Sequence, residues 1–193
     1  MHLHDGHLTP VVAAAAAALA LPVLPIAFAR ARSNLGLTAG AVAAVLAAQA
    51  LDVRMPGGVS AHLLGGAVLA ASLGTSLALR VMISVVLAQA AWGDGGLSTL
   101  GANILNIAVL PVLVTGLLSR GGGMLRSSTA AVVGTAVGVA ACGIELALSG
   151  SSPSAIGWDG LYLAHAPIAV AEGALVAAMF ALRVPARLGV SRA

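Results

Sequence analysis

Seven apolar runs, at roughly 10–29, 35–51, 59–77, 78–92, 99–118, 128–149 and 161–182, fill almost the whole chain, separated by short polar breaks. A helix needs about 20 residues to cross a hydrocarbon core, and most of these runs reach that length. They are too long and too little alternating for barrel strands. With no water at hydrocarbon depth, each segment must satisfy its own backbone, which leaves a bundle of helices. Composition agrees. The 193 residues are 60% hydrophobic and 8% charged, whereas a soluble domain carries about 25% charged residues. Mean hydropathy is +1.05. The expected fold class is an all-α, polytopic transmembrane bundle of about seven spans. Residues 1–193 are expected to form one membrane-embedded domain, with a tail at 1–9. The short fourth run is expected to be tilted or to pair with the third as a hairpin.

The breaks carry loop chemistry: ARSN at 31–34, MPGG at 55–58, GDGG at 93–96, RGGG at 120–123 and SGSSPS at 149–154. Seven crossings place Arg30, Arg32, Arg80, Arg120, Arg126, Arg183, Arg187 and Arg192 on one side and Arg54 alone on the other. Arginine concentrates in cytoplasmic loops, so the expected orientation in the plasma membrane is N-terminus outside and C-terminus cytoplasmic. The net charge is only +3 and forms no basic stripe, which argues against a nucleic-acid partner. Cys142 is the one cysteine, expected as a small buried thiol without a disulfide partner. Gly134 and Gly138, at helical spacing, read as positions of close helix packing. Trp92, Trp158 and Tyr162 fall near span ends, where such rings sit at the interface.

The same topology gathers all five histidines at the outer face. His2, His4 and His7 lie in the tail, His62 at the start of the third run and His165 early in the seventh. Asp5, Asp52, Asp94 and Asp159 fall on that side too. The tail has neither the basic residues nor the small-residue cleavage pattern of a signal peptide, so the first span is expected to remain, with the amine of Met1 free.

That amine offers a chelate. An α-amine deprotonates near pH 7.7–8.0. It can close fused rings on a metal ion together with the peptide nitrogen and one imidazole nitrogen of His2. A fourth nitrogen from His62 completes a square, which suits Ni(II) and Cu(II); Co(II) fits by ligand type, and alkaline-earth ions prefer oxygen. Around this set, Ser60 is a candidate helix cap before His62, and Gly65 and Gly66 leave room for the tail. Asp94, Ser98, Thr99, Asn103 and Asn106 could orient the ligands. Asn103 and Asn106 share a helical face, and bonding between helices is their plainer role. His4 and His7 are either a relay or merely solvated, and His165 is a candidate supporting group. Glu145 and Glu172 are ionisable groups within spans that have no evident partner.

Two other functions compete. Ser60 with His165 could form a Ser/His dyad of an intramembrane hydrolase, but the usual GxSG-type stretch is imperfect. His62 and His165 could be axial ligands of a haem in an electron-transfer subunit; the scarcity of aromatic residues and Met around them weighs against it.

Four segments, taken in order, resemble the landmarks of a known family: MHLHDGHL at the N-terminus, PGGVSAHLLGG at 56–66, GDGGLSTLGANILN at 93–106 and HAPIAVAEG at 165–173. These are similar to the CbiM/NikM family, the metal-binding membrane components of energy-coupling factor transporters for cobalt and nickel. The resemblance implies a helical bundle with an extra N-terminal helix whose tail inserts into the bundle. It implies metal held by the terminal amine, the second residue's amide and imidazole, and a histidine of the third span: Met1, His2 and His62 here. It also implies a transmembrane coupling subunit, ATP-hydrolysing subunits and a small accessory membrane protein as partners. This chain carries no GxxxxGK[ST] phosphate loop, so it is expected to be a transport component and not itself an enzyme. The cargo would be Co(II) or Ni(II), without an organic cofactor. His4 and His7 depart from the family's usual apolar, aromatic or proline residues.

Overall fold

The computed structural model describes residues 2–29, 35–51, 53–54, 60–151 and 157–182, with the backbone alone at 53–54, 60 and 157–158. Every apolar run contributes a helix. The first forms α1 (Pro10–Ala20) and α2 (Val23–Phe28), interrupted at Leu21 and Pro22, where proline has no N–H to give to the preceding turn. Next come α3 (Leu35–Gln49), α4 (Gly66–Leu73) and α5 (Thr75–Ala91). The fifth run is continuous but changes pitch: α6 (Leu100–Asn103), a π-helical turn at Ile104–Val109, then α7 (Leu110–Leu118). The long α8 (Met124–Leu148) and α9 (Gly157–Ala181) close the bundle.

Among the described residues, four stretches are long and apolar enough to cross a membrane: Pro10–Phe28, Leu100–Leu118, Met124–Leu148 and Asp159–Ala181. Leu35–Gln49 and Thr75–Ala91 are shorter apolar helices. The chain is a multi-pass membrane protein.

The third run departs from expectation. Its helix begins at Gly66, not near 59, and residues 62–65 run without regular structure. Upstream, β1 (Val53–Arg54) pairs antiparallel with β2 (Ser60–Ala61), Arg54 opposite Ser60. Ser60 is therefore a strand residue and does not cap a helix. The position before α4 is Gly65, whose φ of 84° is left-handed and suits glycine. The boundary with the fourth run also moves, because Gly74, at φ 82°, ends α4. Arg80, expected at a loop, consequently lies inside α5, where it is buried and its Nε–H donates to the Ala27 carbonyl at 3.0 Å. Arg30, Arg32, Asp52, Pro56, Gly57, Gly58, Arg183, Arg187 and Arg192 lie outside the described residues, as do the side chains of Arg54 and Trp158.

α5 runs through the middle of the bundle, with Val81, Met82, Ile83, Val85 and Val86 buried. Lipid supplies no hydrophobic drive between helices, so small residues that permit close approach do much of the joining. A Cβ on Gly134 would meet the Thr115 hydroxyl and the Pro111 carbonyl, and one on Gly173 would meet Val132 and the Ser128 carbonyl. The tail, the loop after α5 and the residues after α8 share one end of the bundle. The turn carrying Arg120 joins α7 to α8 at the other, where Arg126 lies in the first turn of α8.

Candidate metal centre

The tail is held by its main chain. The Leu3 N–H donates to Asn103 Oδ1 at 2.9 Å. The Leu3 carbonyl accepts from Asn103 Nδ2 (2.9 Å), the Thr99 hydroxyl (2.6 Å) and the Gly96 N–H (2.8 Å). One peptide residue is thus gripped on both sides, with its side chain buried. Asp5 Oδ1 then accepts from the Ser98 N–H (2.7 Å) and hydroxyl (2.6 Å). These two bonds, the hydroxyl's first, hold the carboxyl below the usual carboxylate range. Farther along, Thr9 N–H donates to Ser149 Oγ and Ser151 Oγ donates to the His7 carbonyl.

The loop that receives the tail is the glycine-rich 93–96. A Cβ at Gly96 would fall on the Asp5 nitrogen and 2.7 Å from the His4 carbonyl carbon, so only glycine lets the two backbones meet here. The tail is accommodated at this loop and not at Gly65 and Gly66. Those two glycines face Val45 and Met82, and Ile107 and Pro111, respectively.

This grip delivers His2 to His62. Their ring centroids are 5.1 Å apart and their planes 22° from parallel. His62 Nδ1 lies 3.0 Å from the Leu63 carbonyl; a carbonyl only accepts, so Nδ1 carries a proton and, in the neutral ring, Nε2 the lone pair. His2 Nε2 lies 3.1 Å from Gln89 Oε1, and its Nδ1 lies 3.2 Å from Asp94 Oδ1. An ion about 2 Å from one nitrogen of each ring sits about 3.2 Å from each centroid. Two centroids 5.1 Å apart lie within twice that distance. That spacing would let one ion reach a nitrogen of each ring, although the near-parallel, stacked planes define no coordination plane as they stand. Among the described residues no three His, Cys, Asp or Glu side chains converge on a common point.

The other candidates divide. Asn103, Thr99, Ser98 and Asp94 all touch the tail or His2. Asn106 does not: the π-helical turn sends it to Glu145, with Nδ2 donating to Oε2 at 2.6 Å. Glu172 also has partners, since Oε1 accepts from the Gly65 N–H (2.6 Å) and Oε2 from the Thr135 hydroxyl (3.3 Å), pinning the stretch that follows His62. His4 and His7 are exposed and face each other edge to face, centroids 5.7 Å apart. His165 is buried, with Nδ1 against the Leu161 carbonyl of its own helix. Met1 and the side chain of Ser60 lie outside the described residues. Sequence reasoning passed over Gln49 and Gln89. They are the chain's two glutamines, each in the last turn of an apolar helix, and a polar amide in such a place was the signal available.

Residues 2–187 match a family described as the cobalt uptake substrate-specific transmembrane region, CbiM. A protein of Haloquadratum walsbyi assigned by name to metal transport is 35% identical, over 97% of this chain and 91% of that one. The fused nickel transport protein NikMN of Rhodobacter capsulatus is 32% identical over 59% of this chain, which matches about a third (35%) of that longer protein. A crystal structure described as a transition metal transporter superposes with a TM-score of 0.80 at 25% identity, covering 95% of this chain and 92% of that one.

Proposed function

Because the chain belongs to the CbiM family of substrate-specific transmembrane regions for cobalt uptake, we propose that it is the cargo-capturing component of an energy-coupling factor importer of cobalt or nickel ions. The ion is held by the amine of Met1, the deprotonated amide nitrogen and Nδ1 of His2, and Nε2 of His62. His4, Ser60, Asp94, Asn103, Asn106 and His165 were the candidate supporting residues. The contacts of Asp94 with His2 and of Asn103 with Leu3 support that role for these two. Residues 1–193 act as one domain, with the tail at 1–9 serving as part of the site. The site faces outward, and ATP hydrolysis belongs to partner subunits reached through a transmembrane coupling protein and a small accessory membrane protein.

The observation that carries this reading is the approach of His2 to His62, 5.1 Å between rings that lie 60 positions apart in sequence. Chelate chemistry supports the choice of nitrogens. The ring formed by the ion with the His2 amide nitrogen, Cα, Cβ, Cγ and Nδ1 has six members, whereas Nε2 points away from its own amide. At His62 the Leu63 carbonyl already directs the lone pair to Nε2. Bound metal replaces the proton-mediated contact between His2 Nδ1 and Asp94 and leaves the carboxylate nearby to offset its charge.

Calorimetric titration of the purified chain with Ni(II) and with Co(II) tests this. His2→Ala and His62→Ala each abolish high-affinity binding, and His7→Ala leaves it nearly unchanged. One residue added ahead of Met1 also abolishes it, because the chelate moves off the amine. Normal binding by the extended chain would refute the ligand set.

A further inference from the structure

Four groups form a chain of hydrogen bonds from the His62 stretch to the tail. The Leu64 carbonyl accepts from Gln49 Nε2 at 2.8 Å. Gln49 Oε1 accepts from Gln89 Nε2 at 2.7 Å. Gln89 Oε1 faces His2 Nε2 at 3.1 Å. Both glutamines are buried, at 5% and 3% exposure, so water does not substitute for these partners.

The direction of the chain is set at one end. A main-chain carbonyl has no hydrogen to give, so Gln49 must turn its NH2 to Leu64 and its oxygen to Gln89. Gln89 must then turn its NH2 to Gln49 and its oxygen to His2. An oxygen at that position requires a proton on Nε2. Asp94, at 3.2 Å from Nδ1, favours a proton on the opposite nitrogen. Without the glutamines it would settle the neutral ring as Nδ1–H.

We propose that Gln49 and Gln89 are positioning residues that lock His2 with its proton on Nε2, so that Nδ1 is the nitrogen given to the metal ion. The assignment of Nδ1 as the coordinating atom rests on the ligand set above; the lock itself does not. Because Leu64 lies two residues after His62, the relay also ties the two imidazole-bearing segments into one unit. Once Nδ1 gives up the proton it shares with Asp94, the ring is in the tautomer the ion needs.

Ring-15N-histidine labelling of the full chain in detergent reads the tautomer directly, the His2 signals being identified by their loss in His2→Ala. In the metal-free wild type at mildly alkaline pH, Nε2 carries a proton whatever the state of Nδ1. In Gln89→Leu the ring turns to the Nδ1–H form held by Asp94, and the Ni(II) dissociation constant rises about 10- to 100-fold. Gln89→Glu keeps an acceptor opposite Nε2 and retains the wild-type signature. Gln49→Leu, which leaves the Gln89 amide free to flip, gives a mixture of the two forms and guards against a misfolded Gln89→Leu. A bare Nε2 in the wild type, or an unaltered tautomer in both leucine variants, overturns the proposal. Altered tautomers with nickel binding indifferent to Gln89→Leu and to His2→Ala would instead remove the ligand set and leave the lock standing.

Discussion

Asn103 offers the sharpest test of how the tail is seated. Among the described residues it is the only side chain that both donates to and accepts from Leu3, the residue directly after the proposed chelating His2. In Asn103→Ala the Leu3 N–H loses its partner in a buried setting, which costs about 1–3 kcal/mol. The Leu3 carbonyl loses one bond of three and keeps Thr99 and Gly96, a further loss of about 1 kcal/mol. Together these come to about 2–4 kcal/mol against the docked tail, or roughly 30- to 1000-fold in affinity if undocking precedes metal loss. The neighbouring Asp5–Ser98 contact is exposed, so the lower half of that range is expected. Thr99→Val removes only one of the carbonyl's partners and orphans no donor, so it should cost about 0.5–1.5 kcal/mol, roughly two- to tenfold. Calorimetric Ni(II) titrations of both variants, with thermal unfolding followed in parallel, separate docking from stability. A folded Asn103→Ala that binds within threefold of wild type, or a Thr99→Val that binds more weakly than Asn103→Ala, would refute the reasoning.

Gly96→Ala would drive its methyl into the Asp5 nitrogen and the His4 carbonyl carbon, both main-chain atoms; nickel affinity should fall at least as far as in Asn103→Ala. Gly36→Ala, with nothing within 4 Å of its Cβ, should leave the titration unchanged. Glu172→Ala strips the Gly65 N–H of its acceptor and should lower stability by about 1–3 kcal/mol in a thermal melt, whereas Glu172→Gln keeps an oxygen there and should lose less. Asp5 sits below its ordinary pKa when docked to Ser98. Its contribution to tail docking is therefore fully present above the ordinary carboxylate value and is lost as pH falls through the lowered one. Tail exposure measured by limited proteolysis should be flat through neutral pH and rise only in acid, and Asp5→Asn should lose that acid dependence.

The helices were legible because uninterrupted apolar length is a strong signal, and a family resemblance carried by contiguous motifs brought His2 and His62 together. What remained hidden was geometry set by single residues. Gly74 ends one helix where composition runs on without a break, which moves Arg80 from a loop into a buried position against Ala27. The π-helical turn at Ile104–Val109 breaks the spacing rule by which Asn103 and Asn106 would share a face, sending one to the tail and the other to Glu145. Gln49 and Gln89 carry neither charge nor motif, and their importance rests on partners 15 and 87 positions away. Helix hydropathy does not record such long-range bonds.

The tail is a peptide bound by the bundle to which it is itself joined through Leu8 and Thr9. Its seating is a one-molecule event, governed by an effective concentration that for short tethers is in the millimolar range. A handful of weak contacts around Leu3 is then enough to hold it. Ion and tail strengthen each other by the same factor, as reciprocity demands. With three of the four proposed donors on the first two residues, unloading need not sever metal–nitrogen bonds one by one. Anything that peels Leu3 from Asn103 carries amine, amide and imidazole away from His62 in a single movement.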